Sequence, residues 1–409
     1  MRRIMFVLVF MIGICLSGEA KESGIKLIPV YEKTFEDTIV DVIFDTVTVT
    51  LKEAKAMGWK EEAFSEEEKA RGRVKIDYAK IIIFKKKTRE YIGFFDWRGK
   101  EVKKYITKPD AIALVSLNGK FIGITTPIEC SKGECETRFT MMTDKGDVIW
   151  EIEGLGTGPY EPSPDGKWAI GLPSVEVAEA PLEIYNKNGL FKKIENPYGI
   201  IEYCFSNDGE YLAISVGESS VWWNPEGYLM WMNSSGEIIW KAENLNVWNM
   251  YFSPGSKYLC FKSAKDSVSM ILNVFRIANR TNIANFGLGK GKLYYFFPSN
   301  ENNLLVANGI EKRLYLLNIV ENKIRWQVNM KEGTPRTVMA TEGLDKIVVG
   351  AYPNKVYIFD KNGELLVDET LPERFFMRWP RLKISQDGKR IIYAGRSGKL
   401  VAKMLKGGE

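Results

Sequence analysis

Short apolar strands separated by tight turns recur along the chain. A turn followed by an apolar strand reads LNGKFIGI at Leu117, PDGKWAIGL at Pro164, NDGEYLAISV at Asn207 and PGSKYLCF at Pro254. Weaker copies follow as ENNLLVANG at Glu301 and LDKIVVGAY at Leu344, and QDGKRIIYAG at Gln386 ends the series. The second turn position falls at 119, 166, 209, 256, 302, 345 and 388, a period of 43 to 47 residues. Each copy is followed by a strand, a turn and another strand, as in LEIYNKNGLFKKIE, YLMWMNSSGEIIWKAE and KVYIFDKNGELLVDET. The turns Asn186 to Gly189, Asn233 to Gly236 and Asp360 to Gly363 place Asn or Asp first and Gly fourth. Asn and Asp bond their own backbone in a turn, and Gly accepts the positive φ of a type I turn with a bulge.

Four short strands every 40 to 50 residues predict the blades of a β-propeller. Seven blades fit the seven copies, with six or eight as the alternatives. The last copy supplies only the strands RLKIS, RIIYAG and KLVAKML. The hairpin YIGFFDWRGKEVKKYIT at Tyr91, with Asp96 to Gly99 as its turn, is expected to pair with that blade and close the ring.

The repeats resemble those of WD40-like and PQQ-like propellers over about Asp77 to Leu405. Ser163-Pro164-Asp165-Gly166-Lys167 resembles the Ser-Pro-Asp-Gly-Lys turn of extracytoplasmic propellers. The Gly-His and Trp-Asp pairs of strict WD40 repeats are missing. Gly146 to Trp150 and Gly236 to Trp240 match the Gly-x-x-x-Trp of PQQ-like repeats, and Asn322 to Trp326 matches apart from Gly. In that family the Trp docks one blade on the next. The resemblance implies a fold and leaves function open, because one propeller scaffold serves many tasks.

Residues 1–20 read as a secretory signal peptide. Arg2 and Arg3 form a basic start, Ile4 to Leu16 is apolar, and Gly18 and Ala20 precede a cleavage site. An uncleaved anchor is one alternative. Lipidation at Cys15 is another, although Ile14 is too large for a lipobox. The mature chain is therefore expected outside the cytoplasm, in the periplasm, secreted or at the cell surface. Membrane contact would need an uncleaved signal or a lipid. Residues 21–76 fall outside the repeat and read as a small α/β lead-in before a propeller at 77–409. Thr38 to Thr50 is β-branched and strand-like, and Thr50-Leu51-Lys52-Glu53 and Ser65-Glu66-Glu67-Glu68 are capping boxes opening two short helices. The lead-in packs on the ring or serves as a docking arm.

Composition then narrows the chemistry. The 409 residues contain no histidine, so histidine triads, imidazole metal sites and His-based acid–base catalysis are excluded. With 57 basic and 52 acidic residues, the charge of +5 gives no reason to expect nucleic acid. Gln occurs twice, at Gln327 and Gln386, among abundant Lys and Glu, a bias reported for thermophiles. Cys130 and Cys135 flank a four-residue loop that an oxidising compartment would allow to close as a disulfide. Zinc is the rival reading, but it needs four ligands. Cys204 and Cys260 lie in apolar strands and read as buried thiols.

Asp165, Asp208 and Asp387 recur in the same turn, and that context explains them without catalysis. Asp144 to Asp147 is only loosely like a calcium loop, and no full ligand set follows. No pattern singles out a quinone or other cofactor site, so none is expected. Asn233 and Asn279 begin glycosylation sequons. Two candidate binding features remain. Trp222 and Trp223 lie on a loop marked by Pro225 and Gly227 and suit partner binding, with packing beneath the loop as the plainer alternative. Glu202, Asn249, Tyr295 and Arg381, with Arg336 close by, are expected near the start of the innermost strands, at the mouth of the ring. The leading expectation is a monomeric, non-catalytic module that binds or assembles a protein or peptide, similar to envelope scaffolds of the PQQ-like group. The alternative is a carboxylate-based or quinone-dependent enzyme with its site in the funnel.

Overall fold

The computed structural model describes residues 26–406 except 88, 97, 132–133, 157–158, 172–180, 196–199, 218–226, 246, 265–269, 372–381 and 396–397. The side chains of 129–131, 134–135 and 200–201 also lie outside the described set. The strands form eight four-stranded antiparallel sheets, one more than the seven blades expected. Blades 2 to 8 begin at Ile112, Tyr160, Ile200, Val247, Leu293, Thr334 and Leu382 and correspond to the seven copies of the repeat.

The extra blade begins in the segment expected to be a lead-in and runs on past residue 76. Blade 1 consists of Thr38–Thr50, Arg73–Lys86, Arg89–Phe95 and Glu101–Pro109. Its first two strands are joined by residues 51–72 in place of a tight turn, so it carries no copy of the periodic signal. The Tyr91 hairpin supplies the third and fourth strands of this blade and does not pair with the last one. Blade 8 is closed by Lys26–Thr34, which pairs antiparallel with Lys399–Lys406.

The insertion follows its expected caps. Thr50 and Ser65 each close a capping box, over Leu51–Ala56 and Glu66–Arg71, and Gly72 ends the second helix at φ +66°. Its apolar side chains pack at the junction of blades 8 and 1. Trp59 stacks on Tyr31 at 5.1 Å. The Arg390 guanidinium of blade 8 lies 5.6 Å from the Phe64 ring and donates to the Ala63 carbonyl at 3.4 Å.

Second strands are almost wholly buried, as in Tyr211–Val216 and Ile347–Tyr352, and fourth strands are largely exposed, as in Glu101–Pro109 and Lys323–Asn329. Eight apolar clusters fill the eight junctions between successive blades, including the one that joins blade 8 to blade 1. A fully buried aliphatic or aromatic side chain contributes about 1.5–3 kcal/mol. The junctions therefore carry most of the favourable free energy of folding.

Aromatic rings lock the outer parts of these junctions. Trp150 Nε1 donates to the Gly166 carbonyl of blade 3 at 3.0 Å, and Trp326 Nε1 to the Lys361 carbonyl of blade 7 at 2.9 Å. Trp240 stacks on Trp231 at 4.2 Å and approaches Phe275 of blade 5 at 5.3 Å. These are the tryptophans for which the PQQ-like pattern implied docking. Gly363 receives the Trp326 ring: its φ is +83°, and a Cβ there would lie 3.1 Å from the indole.

Gly363→Ala should cost more than Gly154→Ala in urea denaturation. Gly154 has a similar φ of +74° but nothing within 4 Å of a Cβ, so it pays only the backbone strain of about 1–2 kcal/mol. Gly363→Ala adds displacement of the indole, for an expected total of about 2–4 kcal/mol. Equal costs would show that the Trp326 contact does not hold the junction.

Candidate functional site

The first strand of each sheet is innermost. Ile200–Phe205 packs beside Val247–Phe252, and Leu293–Phe296 beside Thr334–Ala340. Along these strands one register is partly exposed while its neighbours are buried. It is Glu161 between Tyr160 and Pro162, Tyr251 between Met250 and Phe252, Met339 between Val338 and Ala340, and Lys383 between Leu382 and Ile384. Each stands two places before the first turn residue. Cys204 and Phe296 hold the same place in blades 4 and 6 and are also partly exposed.

Four of the residues expected at the mouth lie on inner strands: Glu202 on blade 4, Asn249 on blade 5, Tyr295 on blade 6 and Arg336 on blade 7. Arg381 lies outside the described residues, as do Trp222 and Trp223. Three of the described four, Glu202, Asn249 and Arg336, bond blade to blade. Glu202 Oε2 accepts the Met250 N–H at 3.4 Å, and Asn249 Oδ1 accepts the Leu293 N–H at 3.2 Å. Arg336 Nη1 donates to Tyr294 Oη at 3.2 Å. The pairing register shifts beside Glu202, across Asn249 and beside Arg336, and Asn249 has φ +53°. Bulges of this kind redirect side chains and free backbone groups from the ladder. Glu202 and Asn249 supply acceptors to the adjoining strand.

The sequence expectation missed Glu161, Tyr203, Cys204 and Tyr251. Tyr203 Oη donates to Glu161 Oε2 at 2.8 Å, across from blade 4 to blade 3. Counting back from the turn serine, two places to Glu161, Cys204 and Tyr251 and three to Tyr203, would have found them.

Burial dominates the electrostatics of this wall. It pushes the Glu202 carboxyl up to about 7, against the opposing pull of the Met250 and Asn249 N–H groups and of Lys292. It pushes Glu161 up as well, opposed by the Tyr203 hydroxyl. The thiols of Cys204 and Cys260 and the Tyr295 phenol are pushed far up by burial. Such thiols stay protonated and are poor nucleophiles.

The turn aspartates behave as turn residues. Asp165, Asp208 and Asp387 each accept the hydroxyl of the turn Ser two places earlier and a backbone N–H two places later. The turns also bind one another. Asn118 donates to the carbonyls of Pro164 and Asn207, and Ser256 donates to Asp208. Elsewhere, Cys130 and Cys135 face each other across the second hairpin of blade 2, but their side chains lie outside the described set.

BamB from Moraxella catarrhalis aligns at a TM-score of 0.54 and 10% identity, over 93% of this chain and 100% of that one. The C-terminal WD40 domain of Sif2 aligns at 0.55 and 12% identity, over 93% and 99%. No protein-family model and no curated protein matches the sequence. The structural likeness shows the fold, a β-propeller akin to those of PQQ-like and WD40 repeats, as the repeat resemblance implied.

Glu202→Gln should change the pH dependence of stability. The folded-state carboxyl titrates near 7 and the unfolded one near its ordinary value of 4.5, so the folded state holds the proton more tightly. Stability is therefore lost as pH rises from about 4.5 through 7. The variant keeps an acceptor for Met250 and carries no charge. It should match the parent near pH 4 and exceed it by on the order of 2 kcal/mol near pH 8.5. Denaturant melts across this range test it, and a difference independent of pH would contradict the assignment.

Proposed function

We propose that this chain is a non-catalytic, extracytoplasmic binding or assembly module that presents its loops and central funnel to a protein or peptide partner. The observation that carries the reading is the inner wall. It is a set of paired strands whose partly exposed register mixes a carboxyl and an ammonium with aromatic and sulfur side chains, as in Glu161, Lys383, Tyr251, Phe296 and Met339. Aromatic and methionine side chains are enriched where proteins bind one another. Here they sit on strands rather than loops, so little ordering entropy opposes binding.

Export is the proposed location because of the basic and apolar start of the chain, with cleavage near Ala20. Membrane association would then arise only from an uncleaved signal or from lipid at Cys15. A monomer is proposed, since the ring closes on itself. Trp222 and Trp223 are proposed to add a second contact surface on their loop. The fold likenesses bear on architecture and leave the partner open.

A photo-crosslinking amino acid at Leu114 or Trp223 in the exported chain should yield a defined protein adduct. The same group at Lys193, on an outer strand, should not. Labelling equally strong from all three positions, or none from any, would contradict the proposal. Absorbance of the purified chain adds a second check. Stoichiometric bands above the protein absorption would indicate a bound quinone and overturn the non-catalytic reading.

A further inference from the structure

The junction between blades 7 and 8 holds a cavity of about 180 Å³. Pro29, Leu371, Tyr393 and Val401 line it with apolar surface, and Glu32, Lys399 and Lys403 bring charge to it. Strand register explains why these groups meet. Glu32 pairs with Val401 and Val401 with Tyr393, so the three stand in a row across the fourth, third and second strands of blade 8. Lys399 and Lys403 flank Val401 two places away on the same strand and therefore share its side. Pro29 is the strand partner of Lys403. Leu371 covers the cavity from the blade 7 side.

The cavity has an apolar end and a charged mouth. Leu371, Tyr393 and Val401 are buried and belong to the apolar cluster of this junction. Lys403 is also buried, and its ammonium is held by Glu369 of blade 7. The side chains of Lys399 and Glu32 are 41% and 50% exposed, which places them at the mouth, and they form an ion pair at 3.3 Å.

Size and charge together define what fits. A void of this size in a blade junction forfeits contacts and costs stability. An apolar cavity of about 150 Å³ accepts benzene. The one here takes a phenyl ring or a branched alkyl group with its first attached carbon. The ion pair at the mouth then reads what that carbon carries. An α-amino acid holds an ammonium and a carboxylate side by side on one carbon. Laid against the Lys399–Glu32 pair in the opposite order, each charge meets its complement, the ligand ammonium on Glu32 and the ligand carboxylate on Lys399. A ligand with only one of these charges meets one partner and faces a like charge on the other. The Lys403–Glu369 pair is neutral as a unit and asks no net charge of the ligand.

We infer that this cavity binds a free α-amino acid with a large apolar side chain. The site is separate from the inner wall, because it lies on the second to fourth strands of blade 8 and not on its innermost one.

Isothermal titration of the full chain at neutral pH tests this with L-phenylalanine, 3-phenylpropanoate, which lacks the ammonium, and 2-phenylethylamine, which lacks the carboxylate. Phenylalanine should bind, and each of the other two should bind about tenfold more weakly. Glu32→Gln should remove the preference over 3-phenylpropanoate, and Lys399→Met the preference over 2-phenylethylamine. Both side chains stand at the surface, so these variants should fold, which a thermal melt checks. Val401→Trp should fill the cavity and abolish binding. If that variant disturbs folding, the two charge variants carry the test alone. No binding of phenylalanine at about 10 mM would overturn the inference. So would equal binding of the three compounds, or preferences that persist in the folded charge variants. The titration uses no partner protein, so its failure leaves the crosslinking test of the module reading intact.

Discussion

The structure depends on the burial of both faces of every blade against its two neighbours. A four-stranded sheet exposes two apolar faces, and only a closed ring covers them all. The first and last blades must therefore meet. Here the contact is made by Lys26–Thr34, which pairs with the last strand of the chain and brings Val30 into the cluster shared with Ile39, Val42, Ile392 and Ala402. The insertion at 51–72 covers the same junction, with Trp59 and Phe64 held under Arg390. Closure and insertion thus solve one problem at one place.

This constraint explains where polar chemistry can sit. Second strands such as Tyr211–Val216 and Ile347–Tyr352 are buried on both sides and carry no charge. Inner strands have one partly exposed register, and acids and aromatics collect there. Some of them hold the ring together, as Glu202 does for the Met250 amide and Asn249 for the Leu293 amide.

Much of this was legible in the sequence. The turn Gly and Asn positions located the hairpins, the two capping boxes located the helices, and the Gly-x-x-x-Trp spacing located the docking tryptophans. The blade count was obscured because the insertion replaces the turn that marks every other blade, so no copy of the periodic signal stands there. The closing strand KLIPVYEKT has no tight turn beside it and pairs with residues more than 360 positions away. Local pattern cannot reveal such a pairing. At the candidate site, Glu202, Asn249, Tyr295 and Arg336 were found on inner strands. Cys204 and Tyr251 were missed because bulges near 201 and 249 shift the register of the strand starts, and Glu161 because its strand is only three residues long and offered no start to align. Counting back from the turns avoids those bulges.

The central claim is that the ring is one cooperative unit closed by its amino-terminal strand. Amide hydrogen exchange on a chain lacking residues 26–34 tests it most directly. Loss of closure should remove protection from the second strands of both blade 8, Arg390–Ala394, and blade 1, Arg73–Lys86, since their side chains share the exposed cluster. Loss of protection confined to Lys399–Lys406, the direct pairing partner, would show that the blades stand without closure and would contradict the account.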